Sequence, residues 1–209
     1  MGKKAFLPAR VLAAAGLAAP KRSRGTSERV VAISRCTIAP GTVVLGVDPG
    51  TILVGYGAIE VTAHGPRFLD AGVVRPDRGS AVPQRLGEIH RQISILLEKF
   101  RPAVVVVERA FAARNVQSAL RIGEGRGVIL ACAAAFGAEV VEITPASAKK
   151  AVVGHGGADK VQVAKMAAAA LSLREPPRPL DASDALALAL AHIGTRLVSL
   201  QHGRSARER

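Results

Sequence analysis

Cysteine is nearly missing from this chain: Cys36 and Cys132 are the whole supply, and they form no CxxC pair. That excludes a disulfide framework or a zinc knuckle. It fits a reducing compartment, so a cytoplasmic location is expected. Long apolar runs are missing too. Although 49% of residues are hydrophobic, none of the runs approaches the roughly 18 positions of a membrane span. No internal repeat is visible. Acidic residues are scarce, 16 against 29 Lys and Arg, which leaves a net charge of +13. A chain of 209 residues holds one domain of about 150–170 residues plus tails.

The charge is unevenly placed. Residues 1–40 carry eight basic side chains against Glu28 alone, and the tail 201–209 carries three arginines and Glu208. Basic tails make nonspecific contacts with polyanions or simply solubilise, so nucleic acid is a supported partner but not a proven one. The start, with Lys3-Lys4 and apolar Val11–Ala19, has some look of a secretory signal. Pro8 and Arg10 interrupt it, however, and the basic cluster Lys21-Arg22-Ser23-Arg24 follows. The reading is a disordered basic extension over 1–40, a body over 41–200 and a basic tail over 201–209.

Within the body, Thr42–Asp48 reads as a buried strand, and Pro49-Gly50 turns the chain. Gly55–Val61 and Arg67–Arg75 follow at short spacing, which implies an antiparallel meander. Pro83–Arg101 is a helix with Leu86, Ile89, Ile93, Leu96, Leu97 and Phe100 on one face. Ala103–Glu108 is apolar until its last residue and reads as a central strand. A helix over Asn115–Phe136 carries Gly123 and Gly127, whose helix-weakening presence predicts a tight contact there, conceivably between subunits. A strand over Ala138–Thr144 and helices over Lys160–Leu171 and Asp181–Leu200 complete the order βββ-α-β-α-β-α-α. This is an α/β fold, a mixed five-stranded sheet with helices on both faces.

Three places in this order end in acids. Asp48 and Glu108 close apolar strands, while Asp181 and Asp184 open the last helix on one face. Taken singly, each has an ordinary explanation: a turn at Asp48-Pro-Gly, and an N-terminal dipole arrangement for the pair. Together, buried acids at several strand and helix ends demand a shared positive partner. No Cys/His cluster competes, so the expected cation is hard and oxygen-loving, Mg²⁺ or Mn²⁺.

The pieces also match a family. Val47-Asp48-Pro49-Gly50-Thr51 with Gly55-Tyr56-Gly57 is similar to the opening of RuvC, the bacterial Holliday-junction resolvases. Glu108-Arg-Ala-Phe-Ala-Ala-Arg-Asn115, Ser118–Gly123, Arg126-Gly127-Val128, the loop Val152–Lys160 and Asp181–Ala187 resemble its later motifs in order, over roughly 42–197. The resemblance implies an RNase H-like fold and a homodimeric endonuclease for four-way DNA junctions in recombination and repair. It implies catalytic and metal-holding roles for Asp48, Glu108, Asp181 and Asp184, with two Mg²⁺ per subunit. A branch-migration motor complex (RuvA and RuvB) is the further partner it implies.

For DNA contact, the resemblance points to Lys149, Lys160 and Phe111, and proximity in sequence adds Arg114, Arg109, Arg121, Arg126 and Lys150. Each of the five added by proximity could equally be a solvated surface charge, unlike Lys149 and Lys160, and Phe111 could equally be a core side chain. The glycines at 154, 156 and 157 and His155 fit a close phosphate approach or a plain turn. The run Gly123–Gly127 lacks the GK[ST] ending of a phosphate loop. Three rivals stand beside this reading: an actin-like nucleotide-binding protein, a noncatalytic junction-binding module, and an RNase H-like nuclease for ribosomal RNA precursors. The first needs a second lobe, the second has no use for intact acids, and the third lacks the complete Asp181/Asp184 pair.

Overall fold

A computed structural model describes residues 38–109 and 116–205. The elements run β1 (Val43–Asp48), β2 (Val54–Thr62), β3 (Gly65–Val74), α1 (Val82–Phe100), β4 (Val104–Glu108), α2 (Val116–Phe136), β5 (Glu139–Ile143), α3 (Pro145–Val153), α4 (Lys160–Ala170) and α5 (Leu180–Ser205). The basic extension proposed for residues 1–40 falls almost wholly outside the described residues. The last helix continues five residues past the expected end at Leu200.

One mixed sheet has the order β3-β2-β1-β4-β5. β1, β2 and β3 form the antiparallel meander, while β4 and β5 join in parallel with β1. Alternation along the central strands feeds two cores. Leu45, Val47, Val105 and Val107 pack towards α1 and α2, with Ile89, Ile93, Leu97 and Ile129. Val44, Val104 and Val106 point the other way, towards Leu186, Leu188 and Ala189 of α5. Because both faces are covered, β4 has no room for a polar residue before Glu108. No helix among the described residues is long and apolar enough to cross a membrane.

The close seating of α5 is written in glycine and alanine. A methyl group on Gly46 would stand 1.9 Å from the carbonyl oxygen of Ala185, and one on Gly57 would stand 2.7 Å from Leu186 Cδ2. These two glycines face each other across the β1–β2 ladder, so they clear a floor on which the helix backbone lies. Gly55, opposite Asp48, does the same beneath the carbonyl of Asp181.

Two expectations need correction. The segment after β5 is a helix of its own, α3, which Thr144 caps by accepting from the Ser147 N–H, with Pro145 in its first turn and Gly154 ending it at φ 93°. Nine residues with few large apolar side chains leave almost no periodic signal. Within one chain, the tight contact on α2 is also not at Gly123 or Gly127, both of which face open space and are left free to meet a second subunit. It falls at Gly125, where a methyl would stand 2.5 Å from the Gly50 carbonyl oxygen.

Gly46→Ala should therefore lower unfolding stability by about 2–3 kcal/mol, because α5 must lift from the sheet. Gly87→Ala, on an open stretch of α1, should instead raise it by about 0.5–1 kcal/mol. Urea denaturation of both variants checks the pair; a harmless Gly46→Ala would refute the close seating.

Candidate active site

The register of β1 against β4 decides where two of the acids meet. Val47 pairs with Val107 in parallel, so Asp48 and Glu108 leave neighbouring strands side by side at the same edge of the sheet. α5 reaches that edge with its first turn. Asp181 sits over Gly55, the ladder partner of Asp48, and Asp184 follows on the same helix face.

A cavity of about 230 Å³ opens there, lined by Asp48, Glu108 and Asp184, by Lys149 and Lys160, and by apolar residues that include Ala148 and Leu188. Asp181 does not line it but stands close enough for its charge to act on Asp48. α4 delivers Lys160 at its first position, fixed by a capping box between Asp159 and Gln162. The Lys160 ammonium donates to Asp184 Oδ2 at 2.7 Å. α3, the helix hidden from periodicity, delivers Lys149.

The electrostatics are those of crowded acids. Burial is the largest cause that pushes the Asp48 carboxyl from the ordinary 3.8 up to about 7; Glu108, Asp184 and Asp181 add to it, and Lys160 works against it. Glu108 is raised by the same desolvation and by Asp184, with Lys160 and Lys149 opposing. The acids hold Lys160 above its usual range, the hydrogen bond to Asp184 foremost. Among the described residues, no three Asp, Glu, His or Cys side chains already form a finished cation cage. The donor set nevertheless suits a hard divalent ion. It offers carboxylate oxygens alone, and their mutual repulsion is the strain that such an ion relieves.

Of the other side chains considered for DNA contact, Phe111 and Arg114 lie outside the described residues. Arg121 is paired with Glu124 at 3.1 Å, and Arg126 with Glu142 on β5. Arg109 is exposed, and its backbone N–H donates to the Ile143 carbonyl. His155 is exposed in the loop after α3. The apolar wall, above all Leu188 and Ala148, is a part of the site that sequence reasoning did not name. Its one available signal was the helical spacing of Leu188 from Asp184.

Asp48 takes up protons more readily folded than unfolded, so in cation-free protein its contribution to stability falls as pH rises from about 4 through about 7. Asp48→Asn should therefore stabilise the cation-free protein at pH 8 by about 2 kcal/mol, and far less at pH 4.5. Mg²⁺ should raise the melting temperature of the wild type more than that of the variant. Thermal melts in EDTA and in Mg²⁺ check both, and equal melts at pH 8 would contradict this account of the acids.

The likenesses to known proteins fall on this same frame. Residues 44–192 match the family model described as "Crossover junction endodeoxyribonuclease RuvC". The RuvC protein of Pseudomonas putida is 40% identical over 168 residues, 80% of this chain and 95% of that protein. The Moorella thermoacetica RuvC protein is 44% identical over 149 residues, 71% of this chain and 89% of its own length. Thermus thermophilus RuvC, solved in complex with Holliday junction substrate, superposes with a TM-score of 0.70 at 37% identity, covering 75% of this chain and 96% of that one. With all four acids inside the matched span, the chain belongs to the RuvC family.

Proposed function

We propose that this protein is a divalent-metal-dependent endonuclease that resolves four-way (Holliday) junctions in recombination and repair. The observation that carries the reading is the meeting of Asp48, Glu108 and Asp184, with Asp181 alongside, in one cleft faced by Lys149 and Lys160. The Thermus thermophilus relative solved on a junction supports the substrate.

A phosphodiester resists water because the nucleophile meets an anion. Asp48, Glu108, Asp181 and Asp184 are the residues that would hold two Mg²⁺ or Mn²⁺ ions. Bound there, such ions screen the phosphate and lower the pKa of the attacking water. Lys149 and Lys160 hold phosphate oxygens on the open side of the cleft, and the apolar wall of Ala148 and Leu188 restricts bulk water. Phe111 and Arg114, in the segment between β4 and α2, are further DNA contacts. The products are a 5′-phosphate and a 3′-hydroxyl, so the nick can be religated.

Paired symmetric nicks need two clefts, hence a homodimer. On α2, Val116 is 76% exposed and Leu120 63%, and Gly123 and Gly127 beside them face open space. An apolar strip with small residues admits a second helix closely, so α2 is the proposed subunit contact. The site of action is the cytoplasm, with the branch-migration motor (RuvA and RuvB) as partner.

A synthetic four-way junction should receive symmetric paired nicks in Mg²⁺ and none in EDTA, and plain duplex should stay intact. Asp48→Asn should lower the nicking rate by at least about a thousandfold while junction binding persists; wild-type nicking by that variant would defeat the assignment. Leu120→Glu should weaken self-association at least about tenfold in sedimentation and uncouple the two nicks. A Leu120→Glu protein that stays dimeric would remove α2 from the contact.

A further inference from the structure

β1 ends between two openings. The acid cleft lies on the side of α3, α4 and α5. On the other side, a groove of about 500 Å³ runs between the Pro49–Leu53 turn and the facing surfaces of α1 and α2. Pro49 lines the groove and directly follows Asp48, so the two openings share one strand end.

The groove is built to hold an anion. Arg85 on α1 lines it; its Nε is buried with no hydrogen-bond partner, and its guanidinium makes no ion pair among the described residues. Thr51 lines it as well. It is only 6% exposed, its methyl lies against Gly125, and its hydroxyl has no hydrogen bond among the described residues. A buried donor left without an acceptor, as Arg85 Nε is, costs stability unless a ligand satisfies it. Arg121, from α2, adds a second guanidinium, held only by an exposed pair with Glu124 that exchanges easily. Among the described residues, no acid lines the groove.

We propose that this groove takes a second backbone phosphate of the junction, a few nucleotides from the one in the acid cleft. Arg85 is its principal ligand, and Thr51 and Arg121 assist. A guanidinium fork with a neighbouring hydroxyl matches the two free oxygens of a phosphodiester. The continuity of Asp48 with Pro49 sets the spacing between the two phosphates, so the groove fixes the register of the strand over the acids. The inference rests on the nuclease reading above and extends it to substrate positioning.

Single-turnover nicking of a junction, with neutral methylphosphonates placed one at a time along the cut strand, tests it. Wild type should be slowed by neutral links beside the cut and by one further link outside the acid cleft. Arg85→Gln should nick about tenfold more slowly, with a log–log salt dependence shallower by about one, and should no longer respond to that further link. Arg85→Lys should restore part of the rate. Thr51→Val keeps the buried shape, so it should melt no lower than wild type yet nick about threefold more slowly, which separates a binding role from a folding one. Wild-type rates and salt slopes in Arg85→Gln and Thr51→Val would overturn the proposal. So would slow variants that keep full sensitivity at every link, including any slowed only because their dimer falls apart. A wild type that nicks no junction would overturn the nuclease reading itself, a different result from either.

Discussion

The contact on which this molecule depends is backbone against backbone: α5 lying on Gly46, Gly55 and Gly57. Helix and sheet ordinarily keep a full layer of side chains between them. Here that layer is reduced to alanines, Ala182, Ala185 and Ala189, all fully buried. The helix is thereby brought close enough for short aspartate side chains in its first turn to reach the ends of β1 and β4. A bulkier floor would still make a stable α/β domain, but it would hold the acids apart.

Once those acids are gathered, charge governs the rest. The cleft gathers negative groups inside a protein of net charge +13, and both of its lysines come from helices that pack beside α5. Lys160 already satisfies Asp184, so the protein folds without leaving every acid unanswered. Asp48 has no such ion pair among the described residues, and its affinity for protons is raised instead. The fold thus tolerates the cluster by two different means, an ammonium on one side and protonation on the other.

What could be read from the sequence followed from period and termination. The apolar run of β4 closing on Glu108 identified a central strand with an acid at its end, and the spacing of Asp181 and Asp184 placed both on one helix face. The mixed sheet was legible from the element order, but the parallel register that sets Asp48 beside Glu108 is seen only in the fold. α3 stayed hidden because alanine and lysine in nine residues carry little pattern, although Thr144-Pro145 and Gly154 marked its ends. The glycines of α2 were only partly legible for a related reason: spacing shows which residues share a face, not what that face meets. Gly125, the one in close contact within the chain, meets Gly50 seventy-five positions earlier. Thr51 and Arg85 were equally invisible, since a missing partner is a property of the folded neighbourhood alone.

Half of the acid set is supplied by the last helix, α5, and the other half by strands whose sequences precede it by more than seventy residues. During synthesis from the N-terminus, the sheet strands emerge first and cannot complete the cleft. A growing chain therefore cannot assemble the four-acid cleft until its final helix has left the ribosome and settled on the glycine floor. A truncated product that loses this helix would likewise lack half of the acids that the cleft brings together.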